Sequence, residues 1–281
     1  MIKKTLCILL VSLLMVACTE KINVNLDSTY TRLVVDGNIA SDTAAYRIAL
    51  TRTADYFYNE PVPPVTGASV FLSDGENIIH LSETQPGISG IYTTDSTFAG
   101  IRDKTYTLHV DLAEPISGES AFDGSCKLNH VTHLDSIRAV FEPDWGKEGV
   151  WKIKLWAQEP GNEVNYYLFN LYRNGKLLTD TLTKKVISDD KFYNGSYMTG
   201  VDVIYLNNAH KWETISPGDT IMLQMSGISE EYFNFITQVR QSGFNIPFFS
   251  GPPANVKGNI NNGGVGFFAA YSNSFAKALV R

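Results

Sequence analysis

The residues best suited to chemistry are thinly spread along this chain of 281 residues. Two of its five histidines, His130 and His133, form a close pair, and histidine nitrogens are common metal ligands. On a predicted strand, residues three positions apart point to opposite faces of the sheet. The pair therefore predicts no shared metal site, and we expect neither a metal nor a cofactor.

Nucleophiles and acids show no catalytic arrangement in the sequence. The segment 87–90 reads Gly-Ile-Ser-Gly and precedes a predicted strand, so it lacks the strand-to-helix elbow that exposes a catalytic serine. Cys126 has no partner signature and is predicted to be a buried apolar residue. Asp189 and Asp190 are sequence neighbours, which rarely face each other across a sugar, so a solvated loop is predicted there.

A glycine-rich segment, residues 258–266, has backbone freedom suited to wrapping an anion. No Lys-Ser or Lys-Thr pair follows it, and no predicted helix begins there to hold a phosphate. The segment therefore predicts a turn and bulge before a last strand.

Aromatic residues in two predicted loops are the candidate partner-binding residues. They are Tyr56, Phe57, Tyr58, Phe192, Tyr193 and Tyr197. Rings among Asp, Asn and Gly residues in loops are well placed to anchor a partner or a sugar. The alternative interpretation is that the rings fold back and close the ends of a β-sandwich.

The first eighteen residues predict where the chain works. A basic start at Lys3 and Lys4 precedes an apolar run over 6–16, which is too short to span a bilayer. Residues 15–18, Met-Val-Ala-Cys, resemble the lipobox of bacterial lipoproteins. We therefore expect residues 1–17 to be a signal peptide, Cys18 to carry lipid such as palmitate, and residues 18–29 to be a tether.

Charge and cysteine content limit the partners and the cross-links. The formal net charge is −6, and loss of Lys3 and Lys4 with the signal would make it −8. An acidic chain without basic clusters is not expected to bind nucleic acid. Cys7 would leave with the signal and Cys18 would be acylated, so Cys126 would have no internal disulfide partner.

Short strands dominate the predicted fold. Residues 30–125 hold about seven of them, including a hairpin whose turn is Asp74-Gly75, and this pattern predicts an antiparallel β-sandwich. Strands at 65–72, 90–92 and 106–110 resemble the transthyretin-like or carboxypeptidase-regulatory-like sandwich, a resemblance that implies a structural scaffold.

A second β-rich domain is predicted over residues 126–281. It begins with a long strand over 130–141, and its clearest hairpin turns at Asn174-Gly175. One amphipathic helix is predicted over 229–242, with Ser229 as its N-cap and acidic residues in its first turn. The chain is therefore expected to be mainly β, with one helix.

Several segments together resemble the lipoprotein family catalogued as domain of unknown function 4249. They are the terminal run 255–268 together with 33–37, 67–68, 133–137, 189–195 and 231–233. The resemblance covers nearly the whole chain after Cys18. It implies an envelope lipoprotein of a Gram-negative bacterium, expected beside outer-membrane transport systems, and it implies no activity.

Two functions stay open at the level of sequence. The first is a non-catalytic lipoprotein, held on the periplasmic or outer face of the outer membrane, that binds a partner such as an outer-membrane transporter. The alternative is an extracytoplasmic hydrolase acting on glycan or peptide, for which the sequence nominates no pair of carboxylates.

Overall fold

The computed structural model describes residues 31–53, 62–182, 184–211, 213–243 and 256–281, and these ranges contain fifteen strands and one helix. The strands are β1 (Leu33–Ala40), β2 (Arg47–Arg52), β3 (Ser69–Ser73), β4 (Ile78–Glu83), β5 (Ile91–Thr93), β6 (Thr105–Ile116), β7 (Glu119–Lys127), β8 (Leu134–Glu142), β9 (Val150–Gln158), β10 (Tyr166–Arg173), β11 (Lys176–Leu177), β12 (Val186–Asp189), β13 (Tyr197–Asn207), β14 (Thr220–Ile228) and β15 (Val265–Leu279). The helix is α1 (Glu230–Gly243). The prediction of a mainly β fold with one helix is confirmed.

The larger sheet has twelve strands and runs in the order β11, β10, β14, β15, β1, β2, β5, β4, β3, β6 and β7, with β12 also paired to β10. Its β1 to β7 part curls around a first core with buried residues such as Leu50, Leu72, Leu108 and Phe268. All neighbours in this sheet are antiparallel except β1 and β15, which are parallel.

The last strand serves both halves of the fold. Residues 265–271 of β15 pair with β1, whereas residues 272–279 pair with β14. Gly266 lies opposite Val35 with φ at +94°, and a Cβ there would lie 2.0 Å from the Val35 carbonyl oxygen. Because a side chain would meet both strain and a backbone clash, only glycine suits this position.

The predicted turn before the last strand binds the outer edge of β7. We call residues 259–262, Asn-Ile-Asn-Asn, the asparagine turn. Asn259 Nδ2 donates to the carbonyls of Ser125 and Phe268, and its Oδ1 accepts from Phe268 N. Asn261 exchanges hydrogen bonds with Asp123, and Asn262 donates to the Ala121 carbonyl. The turn therefore supplies hydrogen-bond partners to backbone groups on the outer edge of β7, which would otherwise be unpaired.

A second core lies between two facing sheets. The three-stranded sheet, in the order β13, β9 and β8, packs against the β10, β14 and β15 part of the larger sheet. Inward residues alternate along β9, where Trp151, Ile153, Leu155 and Ala157 are buried. We call this pair of facing sheets the second sandwich.

The two predicted hairpins and the helix are confirmed. Asp74 Oδ1 accepts from the backbone of Glu76 and Asn77 in the β3–β4 turn, and Asn174-Gly175 joins β10 to β11 with positive φ at both residues. Tyr232 N donates to Ser229 Oγ, so Ser229 caps α1. The ring of Tyr232 packs against Phe267, which seats the helix on β15.

The predicted long strand over 130–141 begins later than expected, at Leu134. His130 to His133 instead form the connection that crosses from the first core to the second sandwich. Thr132 Oγ1 donates to the Gln158 carbonyl and Leu134 N donates to Ser274 Oγ, so side chains replace a regular strand ladder there.

The predicted domain boundary near residue 125 stays a prediction, as does the transthyretin-like resemblance. Residues 31–281 form one compact unit, and Phe267 to Tyr271 at the end of the chain belong to the first core.

Asn259→Ala should lower the free energy of unfolding by about 2–3 kcal/mol, because three hydrogen bonds worth about 1 kcal/mol each are lost. Urea unfolding measures the change. Asn262→Gly is the matched control, since it keeps the left-handed backbone and removes one exposed bond. Equal losses in the two variants would contradict the role given to Asn259.

Candidate functional site

The structure tests the position of three of the six predicted aromatic residues. Phe192, Tyr193 and Tyr197 lie in or beside the connection from β12 to β13. Tyr56, Phe57, Tyr58 and the predicted lipidation site Cys18 lie outside the described residues.

The connection between β12 and β13 is a hydrogen-bonded turn, which we call the 190–196 turn. The Asp190 carbonyl accepts from Tyr193 N at 2.7 Å and from Asn194 N at 2.9 Å, and the Tyr193 carbonyl accepts from Ser196 N. Gly195 has φ at +75° and packs against Gly161. The turn therefore fixes the position of Phe192, whose side chain is 88% exposed.

A cavity of about 300 Å³ opens beneath this turn, at the edge of the second sandwich where β12 faces β13. We call it the seam cavity. Its apolar wall includes Phe169, Met198 and Val203, and Phe192 and Tyr193 lie at its rim. The structure thus brings two of the predicted aromatic residues to one concave surface.

The polar wall of the seam cavity contains a buried carboxyl group, that of Glu159, which is 1% exposed. The Tyr167 hydroxyl lies 2.7 Å from each Glu159 oxygen, and Asn165 Nδ2 donates to Oε1 at 3.2 Å. Burial raises the pKa of Glu159 above its ordinary value, and the nearby charge of Asp190 raises it further.

The second acid of the wall, Asp190, is 3% exposed and accepts from Asn165 N at 2.9 Å. Asn165 therefore donates to both acids, one through its backbone and one through its side chain. Burial and the Glu159 carboxyl together raise the pKa of Tyr167. We call Glu159, Asn165, Tyr167 and Asp190 the Glu159 cluster. Its carboxylate oxygens accept hydrogen bonds from Asn165 and Tyr167.

The prediction of a solvated loop at Asp189 and Asp190 is wrong, because Asp189 is the last residue of β12 and is half-buried. Lys191 forms an ion pair with Asp189, but Asp190 is buried because its carboxylate binds the start of β10. Neither Glu159 nor Tyr167 was singled out from the sequence. Glu159-Pro160-Gly161 signals a turn, but nothing local indicates that its acid turns inward to meet Tyr167.

Tyr197 lies apart from the other two aromatic residues. Its hydroxyl donates to Asp135 Oδ2 at 2.9 Å, and its side chain is 49% exposed. It lines an open groove beside β8, not the seam cavity.

The other chemical candidates have structural partners. His130 Nε2 lies 2.7 Å from Glu163 Oε1. Cys126 is buried, as predicted, and burial raises the pKa of its thiol. Within the described ranges, no group of three or more metal-ligating side chains converges.

Comparison with known families identifies the chain. The family described as Domain of unknown function (DUF4249) matches residues 19–275, and the chain belongs to this family. Comparison with curated proteins finds no match. In the described part of the chain, no helix has the length and apolar character needed to cross a membrane.

Glu159→Gln should remove a pH dependence of stability. Because the folded state holds the Glu159 proton more tightly than the unfolded chain, the wild-type free energy of unfolding falls as pH rises above 4.5 and levels off past the raised pKa. Urea unfolding between about pH 4 and about pH 8 measures this fall, which the Gln variant should lack.

Glu159→Ala provides the stability comparison. It leaves the Tyr167 hydroxyl and the Asn165 amide without their acceptor, so a loss of about 1–3 kcal/mol is expected. Identical pH profiles in wild type and the Gln variant would contradict the burial of a titrating acid at this position.

Proposed function

We propose that this protein is a non-catalytic lipoprotein of the cell envelope that binds a partner of an outer-membrane transport system. Cys18 would carry the lipid, and the 190–196 turn would present the binding residues. The signal-like residues 1–17 and the lipobox-like residues 15–18 support the membrane attachment. The family resemblance supports the association with transport.

The observation that carries the proposal is the exposure of Phe192 on a fixed turn. A phenylalanine that is 88% exposed leaves a large apolar surface in water, and burying such a side chain contributes about 1.5–3 kcal/mol. The hydrogen bonds of Asp190 and Tyr193 hold the turn before any partner arrives. Binding therefore costs little ordering of the chain, as expected for an anchor residue at an interface.

The seam cavity gives the partner a concave surface beside this anchor. Tyr193 is half-buried at the rim, so its ring supports the turn and leaves Phe192 as the main contact. A partner that inserts an apolar side chain into the seam cavity would cover Phe192 at the same time.

One observation favours the alternative, an extracytoplasmic hydrolase. Glu159 and Asp190 share the donor Asn165 on the wall of one cavity. Glu159, however, is 1% exposed and both its oxygens lie within hydrogen-bond distance of the Tyr167 hydroxyl, which favours a structural role. Hydrolysis of peptidoglycan by wild type but not by Glu159→Gln would support the alternative.

Phe192→Ser should reduce capture of the partner at least about 10-fold, because the exposed ring supplies binding free energy but little folding free energy. Crosslinking in intact cells, followed by quantification of the crosslinked band, measures capture. The free energy of unfolding should change by less than about 0.5 kcal/mol.

Ile88→Ser is the control, since Ile88 is also an exposed apolar residue on a turn, at 68%, and lies outside the seam cavity. Equal capture by both variants and wild type would contradict a role for Phe192. A marked loss of stability in Phe192→Ser would instead show that the ring closes the sandwich.

Lipid attachment has its own test. Cells supplied with labelled palmitate should label the wild-type chain, and Cys18→Ala should carry no label, because acylation requires the Cys18 sulfur. Label that persists in Cys18→Ala would refute the anchor.

A further inference from the structure

Two strand edges without a neighbour lie side by side at the edge of the second sandwich that is opposite the seam cavity. β8 is the outer strand of the three-stranded sheet and pairs with β9 alone. Residues 272–279 of β15 pair with β14 alone, because β1 ends its pairing at Tyr271. Among the described residues, neither edge forms a strand ladder on its outer side.

The two edges are joined at one end and line an open groove at the other. Leu134 N donates to Ser274 Oγ at 2.8 Å, which fixes the beginning of β8 to β15. Farther along, residues 136–139 of β8 and Ala278, Leu279 and Arg281 line a groove of about 630 Å³. We call this the edge groove.

The side chains of the edge groove are apolar and basic. Trp156, Tyr197 and Leu279 provide apolar surface, with Tyr197 at 49% and Leu279 at 57% exposure. Arg138 lies on the β8 side, and exposed Arg281 lies just after the end of β15. Neither cation forms an ion pair with another described residue, although the chain as a whole has a net charge of −6.

From these observations we infer that the edge groove binds an extended segment of another protein, rich in acidic and apolar residues, which adds as a strand. Unpaired edges offer backbone hydrogen bonds to an added strand, and side-chain pockets supply its specificity. A second copy of this chain is disfavoured, because pairing the same edges would bring Arg138 and Arg281 near their own copies. An acidic segment would instead neutralise them.

This surface differs from the turn at Phe192, so the two interactions are separable. Asp135, the nearest acid in sequence to the groove, accepts the Tyr197 hydroxyl and holds that ring at one end. Because Asp135 is engaged, Arg138 and Arg281 are the charged groove residues that an incoming segment meets.

The test uses the full-length chain in detergent and two peptides, acetyl-(Glu-Val)4-amide and acetyl-(Lys-Val)4-amide. The Glu-Val peptide should bind, and it should slow amide hydrogen exchange in residues 136–139 and 278–281. The Lys-Val peptide should bind at least about 10-fold more weakly. Binding is measured by fluorescence anisotropy of labelled peptides.

The double variant Arg138→Glu with Arg281→Glu should weaken Glu-Val binding at least about 10-fold and favour the Lys-Val peptide. Arg102→Glu, an exposed arginine outside the groove, is the matched control and should leave binding unchanged. Thermal unfolding verifies that all variants fold.

Three results would overturn the inference. They are equal binding of both peptides, exchange protection confined to other strands, and a dimer in sedimentation that buries residues 136–139 and excludes the Glu-Val peptide.

Discussion

The parallel pairing of the first described strand with the last is the constraint on which the rest of the fold depends. Val35 and Gly266 lie so close that a side chain on Gly266 would collide with a backbone carbonyl. The asparagine turn then binds β7, so β15 contacts both the start of the first core and its outer edge. Beyond Tyr271 the same strand continues into the second sandwich, and the two cores share it.

Much of the local structure could be predicted from the sequence because it depends on neighbouring residues. Asp74-Gly75 and Asn174-Gly175 form turns through their own backbone preferences. Ser229 caps α1 because its hydroxyl accepts a hydrogen bond from Tyr232 N in the first turn of the helix. The divided pairing of β15 could not be predicted, since strand alternation does not identify the partner of a strand.

The candidate site was predictable only in part for the same reason. Loop position and composition left open whether Phe192 is exposed or folds back, and the structure exposes it. They also grouped it with Tyr197, which lies against Asp135 on another surface. The contacts of the Glu159 cluster form because β10 lies beside the end of β9. No local sequence pattern therefore predicts that Glu159 is buried. Burial of an acid is costly unless donors reach it, and Tyr167 and Asn165 supply those donors. The cluster thereby holds the 190–196 turn and leaves its tip to the solvent.

The shared strand also makes the fold sensitive to truncation of its last residues. Every fragment that lacks residues 256–279 has β1 without its parallel partner and β14 without one of its two antiparallel partners. Such a fragment leaves apolar faces of both cores in water, and long-range strand pairing of this kind forms slowly. We therefore expect a fragment that ends before residue 256 to be a substrate for proteases.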